Sequence, residues 1–452
     1  MRALRFCIVG GGPAGNSCAS VAARLGADVT LIEKDILGGA ANLWDCIPSK
    51  AMIAAGGVMS FVSRATGMGL DPVTPTMDLD GLRDYIESTQ RQLHESLSQM
   101  LDSQGVRILE GTGSLAGPHE VVAHTAEGRR EITADVIVLS TGSRPRVPDW
   151  CTPDGQRVLT TRQAYPPPEV PQHLVIIGSG VTGVEFVHMF KSFGSDVTLI
   201  VSRQQVLPGK DPEVAALLEE SFLARKVSLY KGARANAVDV DGDGVAVRCN
   251  DGRVAKGTHA LLAVGAIPNS EDLGLAAAGV ESTDGYVTID HNCRSSVPHI
   301  YAAGDLSGKA LLSSVAAMQG RKIAEHAMGL HKNRPHRHID YSQAASAVFT
   351  EPEIAEVGLT EAEATGRKIR VTKMPFSVTP KALINNDPRG FLKLVSDPAT
   401  GVVLGGSIVG GQAAELISVV ALAVTARLTV SDISETLFAH PTLSEALGDA
   451  AE

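Results

Sequence analysis

Aromatic residues are scarce in this chain, at 4% of 452 residues. So few rings leave little for stacking the bases of a single strand. Positive charge is also in deficit: 40 lysines and arginines stand against 50 aspartates and glutamates, a net charge of −10. Nucleic-acid binding rests on a cationic field, so a nucleic-acid partner is not expected. Long hydrophobic runs are missing too. The longest strongly apolar stretch, Leu416 to Ala426, is far short of the roughly 20 residues of a spanning helix, and no membrane span is expected. The apolar residues near the N-terminus lead straight into glycines, which is not the pattern of a cleaved leader. Cysteine is sparse, with six residues (7, 18, 46, 151, 249 and 293), no CxxC pair and no metal spacing. Thiols at this density suit a reducing compartment, and the expected location is cytoplasmic.

Two segments resemble each other. FCIVGGGPAGNSCASVAARLGADVTLIEK runs from Phe6 to Lys34, and LVIIGSGVTGVEFVHMFKSFGSDVTLIVSR runs from Leu174 to Arg203. Each reads as an apolar strand, a glycine turn, a helix closing at a glycine (Gly26, Gly194) and a second apolar strand. That order implies a right-handed βαβ unit with parallel strands, occurring twice. Between them, residues 78 to 104 carry apolar positions at helical spacing. VIVLSTGSRPRVP from Val136 and LLAVGAIPN from Leu261 read as matching exit strands. YPPPEVPQ from Tyr165 reads as a proline-rich linker, and HKNRPHRH from His331 as a boundary. Beyond residue 340, alternating strands and an apolar helix at 414 to 426 suggest an α+β domain.

Gly10, Gly12 and Gly15 form GxGxxG directly after a strand. The first glycine permits the tight turn, the second lets a pyrophosphate approach the backbone, and the third lets helix and strand pack closely. Glu33 lies 23 residues after Gly10, where a carboxylate can accept from a ribose hydroxyl. Gly178, Gly180 and Gly183 repeat the motif, but Val201 stands where the acid would be, followed by Ser202 and Arg203. Without that carboxylate a 2′-phosphate is not repelled, and Arg203 can pair with one. NADPH, or dual use with NADH, is expected over strict NADH.

These tandem motifs, with GGAANLWDCIPSK from Gly38, AAGD from Ala302 and HPTLSE from His440, resemble the flavoprotein disulfide reductases, the pyridine nucleotide-disulfide oxidoreductases of class I. The resemblance spans the chain in order. It implies an α/β protein of two Rossmann-like dinucleotide-binding domains plus an α+β C-terminal dimerisation domain. The implied boundaries are 1–150 for FAD, 151–270 for NAD(P), 271–339 for a central domain completing the FAD site and 340–452 for the dimer interface. It implies a homodimer with His440 reaching the other subunit's active site. It places Glu33 and the first glycines on the FAD adenosine half, Gly113 along the adenine, and Thr141 and Gly142 in the exit turn of the FAD site. Asp305 falls on the ribityl chain and Ser313 near the flavin pyrimidine. The second glycine motif and Gly265 fall at the nicotinamide nucleotide. Lys50, after a turn signal at Pro48–Ser49, would pair with Glu185 beside flavin N5.

One departure from the family is decisive. Its disulfide reductases carry two cysteines five positions apart where this chain has Ala41 and Cys46. One sulfur cannot form the internal disulfide, so the usual dithiol relay is excluded. Trp44 and Asp45 replace small residues, and Asp45 disfavours the Cys46 thiolate while the helix start and Lys50 favour it. His440 and Glu445 match the family's base dyad, read either as a proton donor to a reduced acceptor or as an interface contact. The leading expectation is an NAD(P)H:quinone oxidoreductase. Alternatives are a soluble transhydrogenase, a single-cysteine peroxidase or oxidase cycling Cys46 through sulfenic acid, and an idle flavoprotein scaffold.

Overall fold

The computed structural model describes residues 2–330 and 337–452. Most of the boundary segment read at His331–His338 lies outside them. The described chain divides into two compact units whose segments interleave: 1–49, 83–145 and 266–341 form the first, and 50–82, 146–265 and 342–452 the second.

In the first unit the repeat becomes a parallel five-stranded sheet. Its order is Ile300–Ala302, Val136–Leu139, Arg5–Val9, Asp28–Glu33 and Arg107–Glu110. Phe6, Ile8, Leu31 and Val138 are buried on one face against helix Pro13–Arg24, while Cys7, Val9, Ile137 and Leu139 are buried on the other. Strands covered on both sides read as continuous apolar runs, which is why they are legible as parallel. A three-stranded antiparallel sheet, Thr112–Gly117, Glu120–Thr125 and Gly128–Thr133, is inserted between the last two crossings.

The second unit repeats this plan. Strands Ser228–Lys231, Asp196–Val201, His173–Ile177, His259–Leu262 and Val158–Thr160 form a parallel sheet in that order. Its insert is Ala235–Asp241, Gly244–Cys249 and Val254–Gly257. The registers correspond residue for residue: Arg5 faces Asp28 and His173 faces Asp196. Val201 therefore occupies the place that Glu33 holds in the first sheet. Residues 342–452 add an antiparallel sheet, Ser346–Val348, Glu353–Gly358, Val403–Gly410, Phe391–Ser396 and Arg370–Pro375. Helix Ala413–Ala426 buries Leu416, Ile417 and Val420 in the same apolar core.

Two helices position the chemistry. Helix Cys46–Arg64 begins at the cysteine itself, so the turn expected at Pro48–Ser49 is instead the first helical turn. Proline is tolerated there because an N–H in that turn has no intrahelical partner. The helical stretch 39–68 is, among the described residues, the one long and apolar enough by length and composition to cross a membrane. Its glycines and alanines interrupt the larger apolar residues, so it holds no long unbroken apolar run. Helix Leu79–Ser103 follows the expected span of 78 to 104.

Candidate active site

The first glycine turn is tight, and its helix N-terminus is open. Gly10 has φ +102°, and a Cβ there would meet Ser140 O at 2.3 Å. Helix Pro13–Arg24 packs so closely on the strand that a Cβ on Gly15 would meet Gly10 O at 1.9 Å. A Cβ on Gly12, in contrast, would meet nothing within 4 Å, leaving the helix N-terminus open to an anion. Glu33 is 8% exposed at the end of its strand. Its Oε2 accepts from the Gly11 N–H at 2.6 Å and its Oε1 from the Asp35 N–H at 2.8 Å. Burial raises its pKa, and these N–H groups pull it back. Gly113 sits against Val9 and Ile32, where a Cβ would be 3.0 Å from Val9 Cγ1.

The exit turn is tied down by hydrogen bonds. Thr141 Oγ1 donates to Asn269 O at 2.7 Å, and the Asn269 N–H donates to Gly142 O at 3.0 Å. Ser143 Oγ donates to the Asp305 carboxylate at 2.6 Å. Asp305 follows the strand Ile300–Ala302 in a short 3-10 turn. Ser313 opens helix Ser313–Ala327, and its Oγ lies 3.4 Å from Cys46 Sγ. The structure thus brings Cys46 and Ser313 together.

Beside them lies a cavity of about 570 Å³. Ala41, Cys46 and Ile47 line it together with Leu93, Leu97 and Met100 of the long helix. The long helix is fastened to the turn carrying Ala41. Gln90 Nε2 donates to the carbonyls of Asn42 and Leu43 at 3.1 and 2.9 Å, and His94 Nδ1 accepts from the Leu37 N–H at 3.1 Å. Asn16 and Asn42 also line the cavity, and each has a buried Oδ1 without a partner among the described residues. Open Gly12 and the held Glu33 fit a bound dinucleotide. The remaining thiols offer no second sulfur. Cys7, Cys18, Cys151, Cys249 and Cys293 are all buried, and burial pushes the Cys7 and Cys293 thiols up to about 12.

The second glycine turn repeats the first. Gly178 has φ +113°, a Cβ on Gly183 would meet Gly178 O at 1.8 Å, and a Cβ on Gly180 would meet nothing within 4 Å. Arg203 is exposed just beyond strand Asp196–Val201, and its carbonyl accepts from the Gly232 N–H at 3.0 Å. No carboxylate pairs with Arg203 among the described residues. Gly265 lies at the second exit turn, where its carbonyl accepts from the Arg146 N–H at 2.9 Å.

Lys50 and Glu185 come together. Lys50 Nζ lies 3.0 Å from Glu185 Oε2, with the lysine side chain 37% and the glutamate side chain 4% exposed. A carboxylate this buried is stable only when paired. Its other oxygen accepts from the Phe349 N–H at 3.0 Å, and Lys50 Nζ stands 4.8 Å from the centre of the Phe349 ring. In the C-terminal segment, His440 Nδ1 lies 2.7 Å from Glu445 Oε1, and the Thr442 N–H donates to Glu445 Oε2 at 2.8 Å. Those contacts, the Thr442 N–H first, hold the Glu445 carboxyl below its ordinary range. Ser143, Asn16, Gln90 and Phe349 were not singled out in the sequence. Ser143 sits one residue beyond the Thr141–Gly142 turn, which was its available signal. Phe349 acts through a backbone N–H and has none.

Residues 4–320 match the family model for the pyridine nucleotide-disulphide oxidoreductases, and residues 344–451 match its dimerisation domain. An NAD(P)H dehydrogenase (quinone) of Mycobacterium tuberculosis is 39% identical over 99% of this chain and 93% of its own. A dihydrolipoyl dehydrogenase of Zymomonas mobilis is 32% identical over 98% and 96%. Among solved structures, LpdA from M. tuberculosis superposes with a TM-score of 0.94 at 39% identity, covering 99% of both chains. A Cu(II) complex of the flavoprotein disulfide reductase RclA from Escherichia coli gives 0.88 at 26% identity, covering 100% and 99%.

Proposed function

The chain belongs to the pyridine nucleotide-disulphide oxidoreductase family, and from that premise we propose that it is an NAD(P)H:quinone oxidoreductase working without a redox-active disulfide. One observation carries this reading: Cys46 shares its cavity with Ala41 and an apolar wall of Leu93, Leu97 and Met100, not with a second thiol. Such a wall suits a flat, uncharged ring and offers no attacking sulfur for a substrate disulfide. The name of the M. tuberculosis relative, a quinone dehydrogenase, supports the same acceptor class.

Bound FAD supplies a two-electron relay between reduced pyridine nucleotide and the acceptor. The first glycine turn and Glu33 would hold its adenosine half, with Gly113 along the adenine. Thr141, Gly142 and Asp305 would hold its middle, with Ser143 orienting the Asp305 carboxylate. Ser313 opens a 15-residue helix whose positive end would favour negative charge at the pyrimidine end. Lys50, kept in place by Glu185, presents a fixed ammonium where negative charge develops. Gly178, Gly180, Gly183 and Gly265 hold the nicotinamide nucleotide. His440, with Nδ1 engaged by Glu445, keeps Nε2 to deliver a proton to the reduced acceptor. We read the chain as a homodimer in which that histidine serves the partner subunit.

The test is a comparison of acceptors. Purified enzyme with NADPH turns over menadione far faster than lipoamide or glutathione disulfide; disulfide turnover matching that with menadione would sink the reading. Transfer to thio-NAD⁺ as fast as to menadione would favour the transhydrogenase instead. Arg203 sets the nucleotide preference. Arg203→Glu raises the KM for NADPH about tenfold or more, through loss of a charge-assisted pair and gain of a repulsive one, and leaves the KM for NADH nearly unchanged. Parallel changes in both constants would remove Arg203 from that role.

A further inference from the structure

Three elements of the second unit converge on the Lys50–Glu185 pair. Helix Cys46–Arg64 carries Lys50 and, fourteen residues later, Arg64. At 100° per residue those two side chains fall within about 40° of one helical face. Helix Val181–Ser192 carries Glu185. The third element is the short segment that follows strand Ser346–Val348. Its Phe349 N–H donates to Glu185 Oε1 at 3.0 Å. Two residues on, its Glu351 carboxylate pairs with Arg64.

The same segment therefore grips the cysteine helix at both ends of one face. Arg389 completes the far end, lying 2.9 Å from Glu351 and 2.6 Å from Asp387. The Arg64 and Glu351 side chains are only 30% and 14% exposed, so water does little to screen the pair. Between the two grips, a Cβ on Gly56 would meet Ser192 Cβ at 3.1 Å. The lysine helix and the glutamate helix approach there closely enough that an alanine would push them apart by a few tenths of an ångström. Beyond this contact, Arg225 donates to Ser192 Oγ at 3.0 Å and lies 3.2 Å from His188 Nδ1, one turn past Glu185.

From this arrangement we propose that Gly56, Arg64, Phe349 and Glu351 are positioning residues that fix the separation of Lys50 and Glu185, and through it the rate of hydride entry. None of the four needs to touch the nucleotide. Gly56 sets the distance between the two helices. Arg64 and Glu351 prevent the cysteine helix from sliding along its axis. The Phe349 N–H fixes the carboxylate, which in turn holds an ammonium that would otherwise swing on a flexible stem. The consequence for rate rests on the placement of Lys50 at the reacting centre.

The experiment uses the FAD-loaded enzyme with Glu351→Ala, Glu351→Asp and Gly56→Ala. Flavin reduction by NADPH is followed by stopped flow, reoxidation by menadione separately, and the Lys50–Glu185 distance by crystallography. A displacement of about 1 Å costs up to 10²-fold, so Glu351→Ala is expected to slow reduction at least tenfold at saturating NADPH, and Gly56→Ala, which moves the helices by only a few tenths of an ångström, to slow it about twofold to threefold. Reoxidation and FAD content stay as in the parent, and Glu351→Asp recovers part of the rate. The Glu351→Ala crystal structure shows Lys50 Nζ beyond hydrogen-bond reach of Glu185, and amide exchange quickens along residues 46–64. Should Glu351→Ala not fold, Gly56→Ala carries the same measurements. An unchanged Lys50–Glu185 distance in both variants overturns the clamp. An unchanged reduction rate in Lys50→Met would instead sink the role given to Lys50, so the two failures are distinguishable.

Discussion

Replacing Lys50 with methionine is expected to slow reduction by NADPH on the order of a hundredfold, the loss seen when one preorganised charge is removed from a developing negative centre. The same change should destabilise the fold more than loss of a surface lysine would. Glu185 is buried, with its side chain 4% exposed, and would keep the Phe349 N–H without the ammonium. An uncompensated buried carboxylate costs about 3 kcal/mol. The reverse variant behaves differently. Glu185→Gln leaves an ammonium that is 37% exposed, so its stability cost stays below about 1 kcal/mol. Stopped-flow bleaching of the flavin and urea unfolding of both variants check this pair of outcomes. Equal destabilisation by the two changes would refute the asymmetry, and an unchanged rate in Lys50→Met would refute the electrostatic role.

The duplicated glycine turn gives a second large effect, and the two copies should fail in different ways. Gly15→Ala places a Cβ at 1.9 Å from Gly10 O, and Gly183→Ala places one at 1.8 Å from Gly178 O. Neither contact is possible without driving the helix off its strand, an overpacking cost of about 1–3 kcal/mol. Gly15→Ala is expected to purify largely without FAD. Gly183→Ala should keep its FAD, accept electrons from dithionite, and lose nearly all reduction by NADPH. The flavin-to-protein absorbance ratio and an anaerobic titration with each reductant read both results. A Gly183→Ala protein that lost FAD while Gly15→Ala kept it would reverse the assignment of the two turns.

Much of this was legible because the strands, turns and helices of the two βαβ units repeat with the same spacing. The repeat fixes register as well as topology, so the spacing alone sets Val201 against Glu33. Ala41 was legible as a missing sulfur because the surrounding GGAANLWDC pattern places it. The cavity beside it was not. The apolar positions at helical spacing within residues 78 to 104 part company: Leu82, Ile86 and Leu101 are buried, Leu93 and Met100 face the cavity, and Leu97 packs on the core and also lines the cavity. A 25-residue helix can present two apolar faces along its length, and periodicity alone does not separate them. Proline has the same signature in a turn and in the first turn of a helix, so Pro48 alone does not separate the two. Phe349 was invisible because its contribution to Glu185 is a backbone donor, which any residue but proline supplies.

The burial of five cysteines around one half-buried Cys46 has a practical reach. In the native protein, a maleimide or methanethiosulfonate reagent meets a single accessible address, and that address opens onto the cavity assigned to the acceptor. A fluorophore or spin label can therefore be installed there without removing any other thiol. Its emission or line shape would report, on unmodified sequence, when a small molecule enters.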